Sequence, residues 1–347
     1  MPLEPPGYPL RLTLDTGALA GNWRALDQLS GSASAGAAVK ADAYGLGARR
    51  VVPLLWQTGC RTYFVAHWQE AAELLDLIPA AAISVLHGPL DASDAAYARQ
   101  SGVRPVVNSL AQAQRWIEAG GGACDLMVDT GINRLGLPLS DLGDPLVAEL
   151  QIDLLLSHLA SADEASPLNE LQRQRWQAAR AALPHQRASL ANSAGIALGS
   201  AYHGDLTRPG IALYGGVPCA ALAPHIRAVA QPEAQLIQAR ELRAGESIGY
   251  NAQFTARHPM RVGVVSLGYA DGYLRCWSGC GTMHAGGAAL AVLGRISMDM
   301  TVIDLSAAPH LREGDWIALD YELPRAAATS GLSQYELLTL LGRRFVR

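Results

Sequence analysis

Lysine is nearly missing from this chain of 347 residues: of its 27 basic side chains, 26 are arginines and one, Lys40, is a lysine. Long apolar runs are missing too. The best stretches, such as 78–86, have only the length of a strand, so no membrane-spanning helix is expected. Five cysteines are too few, and odd in number, for a disulfide framework, which suits a reducing compartment. Charge is scarce at 17%, and a formal net charge of −4 gives no reason to expect nucleic acid or an anionic membrane as partner. The opening MPLEPPGYPL has neither the basic region nor the apolar core of a secretory signal. With half the residues apolar, a disordered chain or a long coiled coil is excluded. The expectation is a soluble cytoplasmic globular protein with two domains, or a barrel plus an appendage.

The surviving lysine stands in GAAVKADAYGLGA, after an apolar strand-like run and before a glycine-rich turn. Arginine replaces lysine well on a solvated surface, but its guanidinium stays protonated and cannot form an imine. If the chain does imine chemistry on a side chain, Lys40 must do it. On the count alone, that account and a chance survivor on a loop stand about even.

The first two-thirds of the chain alternates short apolar runs with helical stretches. Strand candidates fall at 35–40, 62–66, 82–86, 104–107, 125–128, 153–157, 187–191 and 210–213, with helices clearest at 68–77, 110–119 and 168–182. Eight strands with intervening helices predict an α/β fold, a (β/α)8 TIM-like barrel, with an open doubly wound sheet as the alternative. Ahead of the barrel, 11–15 reads as an extra strand, and Asp15 or Thr16 caps a helix towards Leu29. From about Ala228 the texture changes to short strands at 234–239, 261–266, 290–292, 301–304 and 316–318, separated by glycine turns, with a closing helix at 333–341. The predicted organisation is a barrel over 1–225, whose first 15 or so residues pair with the second domain, and a C-terminal all-β domain over 226–347.

In such a barrel, active groups sit past the C-terminal ends of the strands. Lys40 ends the first, Arg134 lies in DTGINRLG after the fifth, and His158 ends the sixth. Asn192 and Ser193 follow the seventh, and Arg208 and Gly210 lie at the eighth. The loops after strands seven and eight commonly bind phosphate, and a hydroxyl with backbone amides at turns suits an oxyanion. A lysine at the same mouth suggests a phosphorylated aldehyde, pyridoxal phosphate above all. Taken singly, DTG and NSAG are ordinary turns, a histidine after three leucines is an ordinary core residue, and an arginine before proline can simply hold a loop. Their convergence on one barrel face favours a site.

Eight segments occur in order: AAVKADAYGLGA at 37–48, DTGINRLG at 129–136, SHLASAD at 157–163, NSAG at 192–195, RPGIALYG at 208–215, GESIGYNAQFTA at 245–256, LGYADGY at 267–273 and GRISMDM at 294–300. Together they resemble the ordered motifs of bacterial alanine racemases, from about Arg11 to the last helix. The resemblance implies a homodimer with shared active sites that interconverts L- and D-alanine on pyridoxal 5'-phosphate and supplies D-alanine for peptidoglycan. It implies that Lys40 holds the cofactor covalently and is the base on one face of the substrate. Tyr250 would be the opposing base, contributed by the β-domain of the other subunit. His158 would lie by the pyridine ring and link Tyr250 to Arg208, which would face the pyridine nitrogen. Because arginine keeps its proton, that nitrogen would stay unprotonated and the ring would be a weaker electron sink. Tyr44, Ser193 and the backbone of Gly210 and Ile211 would bind phosphate. Arg134 and the Met298 backbone would meet the substrate carboxylate, with Tyr269 at the entrance.

Three positions depart from the family pattern. Many members carry a lysine, often carbamylated, two residues before the DTG aspartate; here Met127 stands there, and no other lysine exists to replace it. Ile132 replaces the usual methionine of DTGM, and Arg343 aligns with a position that is tyrosine in some members. Substrate breadth stays open between alanine, serine and a wider range. A pyridoxal-phosphate carrier without turnover, or a decarboxylase or aldolase on the same scaffold, are the competing readings, and the β-domain segments argue against them. Cys276 and Cys280 lie near His284 without a fourth ligand, so no metal is expected.

Overall fold

The computed structural model describes residues 7–346. The chain divides into two compact units, one spanning Thr16–Arg227 and the other joining the residues up to Asp15 with those from Ala228 onward.

In the Thr16–Arg227 unit, strands run at Ala37–Ala38, Tyr63–Val65, Ile83–Val85, Arg104–Val107, Ala123–Asp129, Gln151–Leu156, Arg187–Ser189 and Leu206–Thr207. The first seven pair in parallel with their neighbours, Ala37 opposite Tyr63, Val65 opposite Val85, Val107 opposite Leu126 and Leu156 opposite Ser189. Leu206–Thr207 pairs in parallel with Ser34–Ala35, just ahead of the first strand. On its other side, Arg208 N donates to Ala191 O at 2.8 Å. The ring is closed, which excludes the open sheet. Strands covered on both faces read as continuous apolar runs, and Tyr63, Phe64, Val65, Ile83, Val85, Val106, Val107 and Leu154–Leu156 are buried accordingly.

One strand lies elsewhere than the sequence suggested. The eighth is Leu206–Thr207, whereas the expected run at 210–213 falls in a single 3-10 turn, Ile211–Tyr214. Short buried apolar runs do not distinguish strand from helix by pattern, and Pro209 removes the N–H that would continue the ladder. The helix expected at 68–77 is regular only over Trp68–Ala72.

The other unit is antiparallel. Its 13-residue strand Ala230–Leu242 pairs with Met260–Val265, followed around the sheet by Thr301–Asp304, Ala288–Leu293, Thr282–Ala285 and Trp316–Leu319. Trp316–Leu319 pairs back onto Ala230–Leu242, closing a six-stranded barrel. Leu10–Leu14 adds to the same long strand, Leu10 opposite Ala234 and Leu14 opposite Ala230. Thr282–Ala285 and the helix Leu323–Ser330 are elements the sequence reading lacked. Among the described residues, no helix is long and apolar enough to cross a membrane.

Candidate active site

Past the C-terminal ends of the parallel strands, the Thr16–Arg227 unit gathers Lys40, Tyr44, Arg134, His158, Ser193, Arg208 and Gly210. Lys40 follows the first strand and begins a turn in which Ala41, Asp42, Ala43 and Tyr44 all take left-handed backbone angles, with φ of 54°, 53°, 53° and 57°. Four consecutive L-residues in that region cost about 1–2 kcal/mol each, so the surroundings must impose the turn. Ala43 N donates to Val39 O at 2.8 Å, and Asp42 Oδ1 accepts from Ala48 N at 2.7 Å. The turn carries Tyr44 inward, where its ring lies 4.9 Å from that of Tyr214.

The loops after the seventh and eighth strands meet at Ser193. Asn192 caps the short turn Ser193–Ile196 through Gly195 N (2.9 Å), and Ser193 Oγ accepts from Gly210 N (2.9 Å) and Ala212 N (3.3 Å). A Cβ on Gly210 would stand 2.2 Å from the Tyr44 hydroxyl oxygen, so only glycine admits this approach. The hydroxyls of Ser193 and Tyr44 thus meet beside the Gly210 backbone on a cradle of small residues, which fits a phosphate. Ile211 is buried at the start of the turn that follows.

Arg208 is buried, and its guanidinium donates to Ser189 Oγ and to the carbonyls of Ser157 and Leu190. Burial lowers its pKa to about 10, against the pull of Asp125, so it keeps its proton at neutral pH. His158 is pushed down to about 3, first by burial and then by Arg208, Arg134 and Lys40. It is a neutral imidazole among cations. The Lys40 amine is likewise lowered, by burial and then by Arg134, while Glu70 opposes the shift. A lysine made less basic by burial and cationic neighbours is suited to covalent and base chemistry. Arg134 is exposed in a loop that Asp129 Oδ1 organises by accepting from Gly131 N (2.8 Å) and Asn133 N (3.2 Å). Met127 is buried on the strand below it.

Tyr250, Tyr269 and Met298 belong to the antiparallel unit. Tyr250 follows Gly249 and is 64% exposed. Tyr269 N donates to Ser297 O (3.1 Å) and Ala270 N to Met298 O (3.0 Å), so the GYADG and SMD segments are built onto each other. Asp271 fixes their turn, its Oδ2 accepting from Gly268 N at 2.9 Å and its Oδ1 pairing with Arg344 at 2.7 Å. The guanidinium of Arg275 lies 5.0 Å from the Tyr269 ring centre.

Sequence reasoning missed Gln172. This buried side chain donates to His158 O (2.9 Å) and Thr130 Oγ1 (3.2 Å) and accepts from Ala160 N (2.9 Å), tying together the loops that carry Arg134 and His158. A glutamine on the apolar side of the helix Pro167–Ala182 was the available signal.

Residues 14–218 match the family described as "Alanine racemase, N-terminal domain", and residues 229–347 match "Alanine racemase, C-terminal domain". The chain belongs to the alanine racemase family. It is 42% identical to an alanine racemase of Methylobacterium nodulans, over 97% of this chain and 95% of that protein. It is also 42% identical to the biosynthetic alanine racemase of Agrobacterium fabrum, over 98% and 93% respectively. Among solved structures, it resembles alanine racemase from Bartonella henselae with covalently bound pyridoxal phosphate, with a TM-score of 0.90, 36% identity and 99% of both chains covered. A second is the biosynthetic alanine racemase from Pseudomonas aeruginosa, with a TM-score of 0.87, 36% identity, and 98% and 99% of the two chains covered.

Proposed function

We propose that this chain is a pyridoxal-phosphate-dependent isomerase that interconverts L- and D-alanine by a two-base mechanism. In this reading it works in the cytoplasm as a homodimer and supplies D-alanine for the cell wall. The observation that carries the proposal is the position of the only lysine in the chain, at the mouth of the parallel barrel that also holds the Ser193–Gly210–Tyr44 cradle. The names of the relatives support the substrate, and the biosynthetic ones support the metabolic role.

Lys40 would hold the cofactor covalently, with Ser193, Tyr44 and the N–H groups at Gly210 and Ile211 on its phosphate and Arg208 at its ring nitrogen. When bound, pyridoxal phosphate supplies an electron-withdrawing ring that acidifies the Cα–H of an amino acid joined to it. Arg134 and the Met298 backbone bind the substrate carboxylate, and Tyr269 lines the approach. Lys40 exchanges the Cα proton on one face; Tyr250 of the partner subunit exchanges it on the other. One base alone tends to return the proton it took, so inversion requires two. A phenol with an ordinary pKa of about 10 needs cations nearby to serve as a base, and the neutral His158 backed by Arg208 relays that influence.

The direct test supplies the purified chain with pyridoxal phosphate and L-alanine and follows D-alanine, then runs the reverse. Failure to form either enantiomer from the other sinks the proposal. Gly210→Ala is expected to weaken pyridoxal phosphate binding about fivefold or more, since the new methyl displaces Tyr44 at a cost of about 1–3 kcal/mol; a cofactor titration measures it. Met127 has no acceptor for Arg134, unlike a carbamylated lysine. Degassed enzyme is therefore expected to run at the same rate with and without bicarbonate, with chloride titrated separately at constant ionic strength. A bicarbonate requirement would show that another group anchors Arg134.

A further inference from the structure

Glu70 lies in the short helix Trp68–Ala72, just past the second barrel strand. Part of what it does is ordinary. Oε2 reaches back to accept from His67 N (3.2 Å) and Ala66 N (2.6 Å), as a glutamate three residues into a helix commonly does. Its other oxygen goes beyond capping: Oε1 accepts from Ala41 N at 2.6 Å, 29 residues away in sequence. Ala41 follows Lys40 directly and opens the left-handed turn, whose far end is held by Asp42 on Ala48 N. One carboxylate therefore fastens the peptide after the lysine to the end of the neighbouring strand.

We propose that Glu70 is a positioning residue for Lys40, clamping the left-handed turn to the second strand and setting a carboxylate against the peptide that follows the lysine. This rests on Lys40 being the cofactor-bearing base. Charge supports what the geometry states: Glu70 is the group that opposes the lowering of the Lys40 amine by burial and by Arg134. The other titratable groups that sense Lys40 are His158, after the sixth strand, and His87, after the third. The His87 ring lies edge-on to that of His67, 4.4 Å between centres. All of these are cationic when charged, so Glu70 supplies the negative charge of the set.

The single lysine makes the test direct. The chain made with carbon-13 lysine gives one ε-methylene NMR signal, and its pH titration reports Lys40 alone. Glu70→Gln is expected to lower the titration midpoint by about half a pH unit, the size of a partly solvated charge pair. Its kcat is expected to fall about tenfold, with KM little changed, because the amine is misplaced rather than the substrate site. Glu70→Asp keeps the charge and loses the reach, so its midpoint stays near wild type while kcat still falls. A Glu70→Gln chain with wild-type midpoint overturns the proposal, whatever happens to kcat, because capping alone would then account for the residue. If Glu70→Gln does not fold, Glu70→Asp with wild-type kcat overturns it equally. Adding pyridoxal phosphate to the wild-type chain must shift the lysine signal. If it does not, the cofactor reading fails, independently of Glu70.

Discussion

Lys40→Arg is expected to yield a folded chain that binds no cofactor covalently and has lost racemisation by about 1,000-fold or more. The substitution keeps the positive charge at the barrel mouth and removes the nucleophilic amine, so it separates the electrostatic role from the covalent and proton-transferring one. Three measurements check it: the visible absorption of the lysine-bound cofactor, the rate of D-alanine formation, and thermal unfolding. A yellow and active Lys40→Arg protein would defeat the covalent reading. Because the chain has no second lysine, no neighbour can take over the role, and residual activity could not be assigned to rescue.

The second large effect concerns Tyr250. Tyr250→Phe removes one hydroxyl from an exposed side chain, so stability should hardly change while racemisation falls about 100-fold or more, the usual range for a lost acid–base group. If Tyr250 serves the partner's site, mixing Lys40→Ala with Tyr250→Phe and allowing subunits to exchange restores activity. Random pairing makes half the dimers mixed, each with one complete site of two, so recovery should reach about a quarter of the wild-type rate. No recovery, with exchange demonstrated by native mass measurement, would confine Tyr250 to its own subunit or remove it from catalysis.

The barrel was legible because strands buried on both faces leave apolar runs, and the runs at 62–66, 82–86 and 104–107 stand where Tyr63–Val65, Ile83–Val85 and Arg104–Val107 form. The eighth strand was not, because IALY is buried in a helical turn as well as it would be in a strand, and two residues of Leu206–Thr207 leave no pattern. Lys40, Ser193, Gly210 and Arg208 stood out through residue type and position at strand ends. The left-handed turn left no such trace. Ala41 and Ala43 carry no preference for those angles; the conformation is held by backbone N–H groups donating to the carboxylates of Glu70 and Asp42, which pattern does not reveal. Glu70 was hidden for a related reason: a glutamate three residues into a helix already has a sufficient local explanation.

The pairing of Leu10–Leu14 with Ala230–Leu242 sets an order of events during synthesis. Leu10 leaves the ribosome with its partner Ala234 still unmade, and at about 5–20 residues per second that partner follows roughly 10–45 s later. In that interval the intervening Thr16–Arg227 unit, whose neighbouring strands are close in sequence, can close on its own. The first strand meanwhile waits as an unpaired edge, and its wait is longer still on one side: Leu12 N donates to Val346 O and Leu10 O accepts from Val346 N, far beyond Ala234 in the chain. A chain released between Arg227 and Ala230 would carry the whole barrel unit and an orphaned LRLTL segment able to pair with another copy.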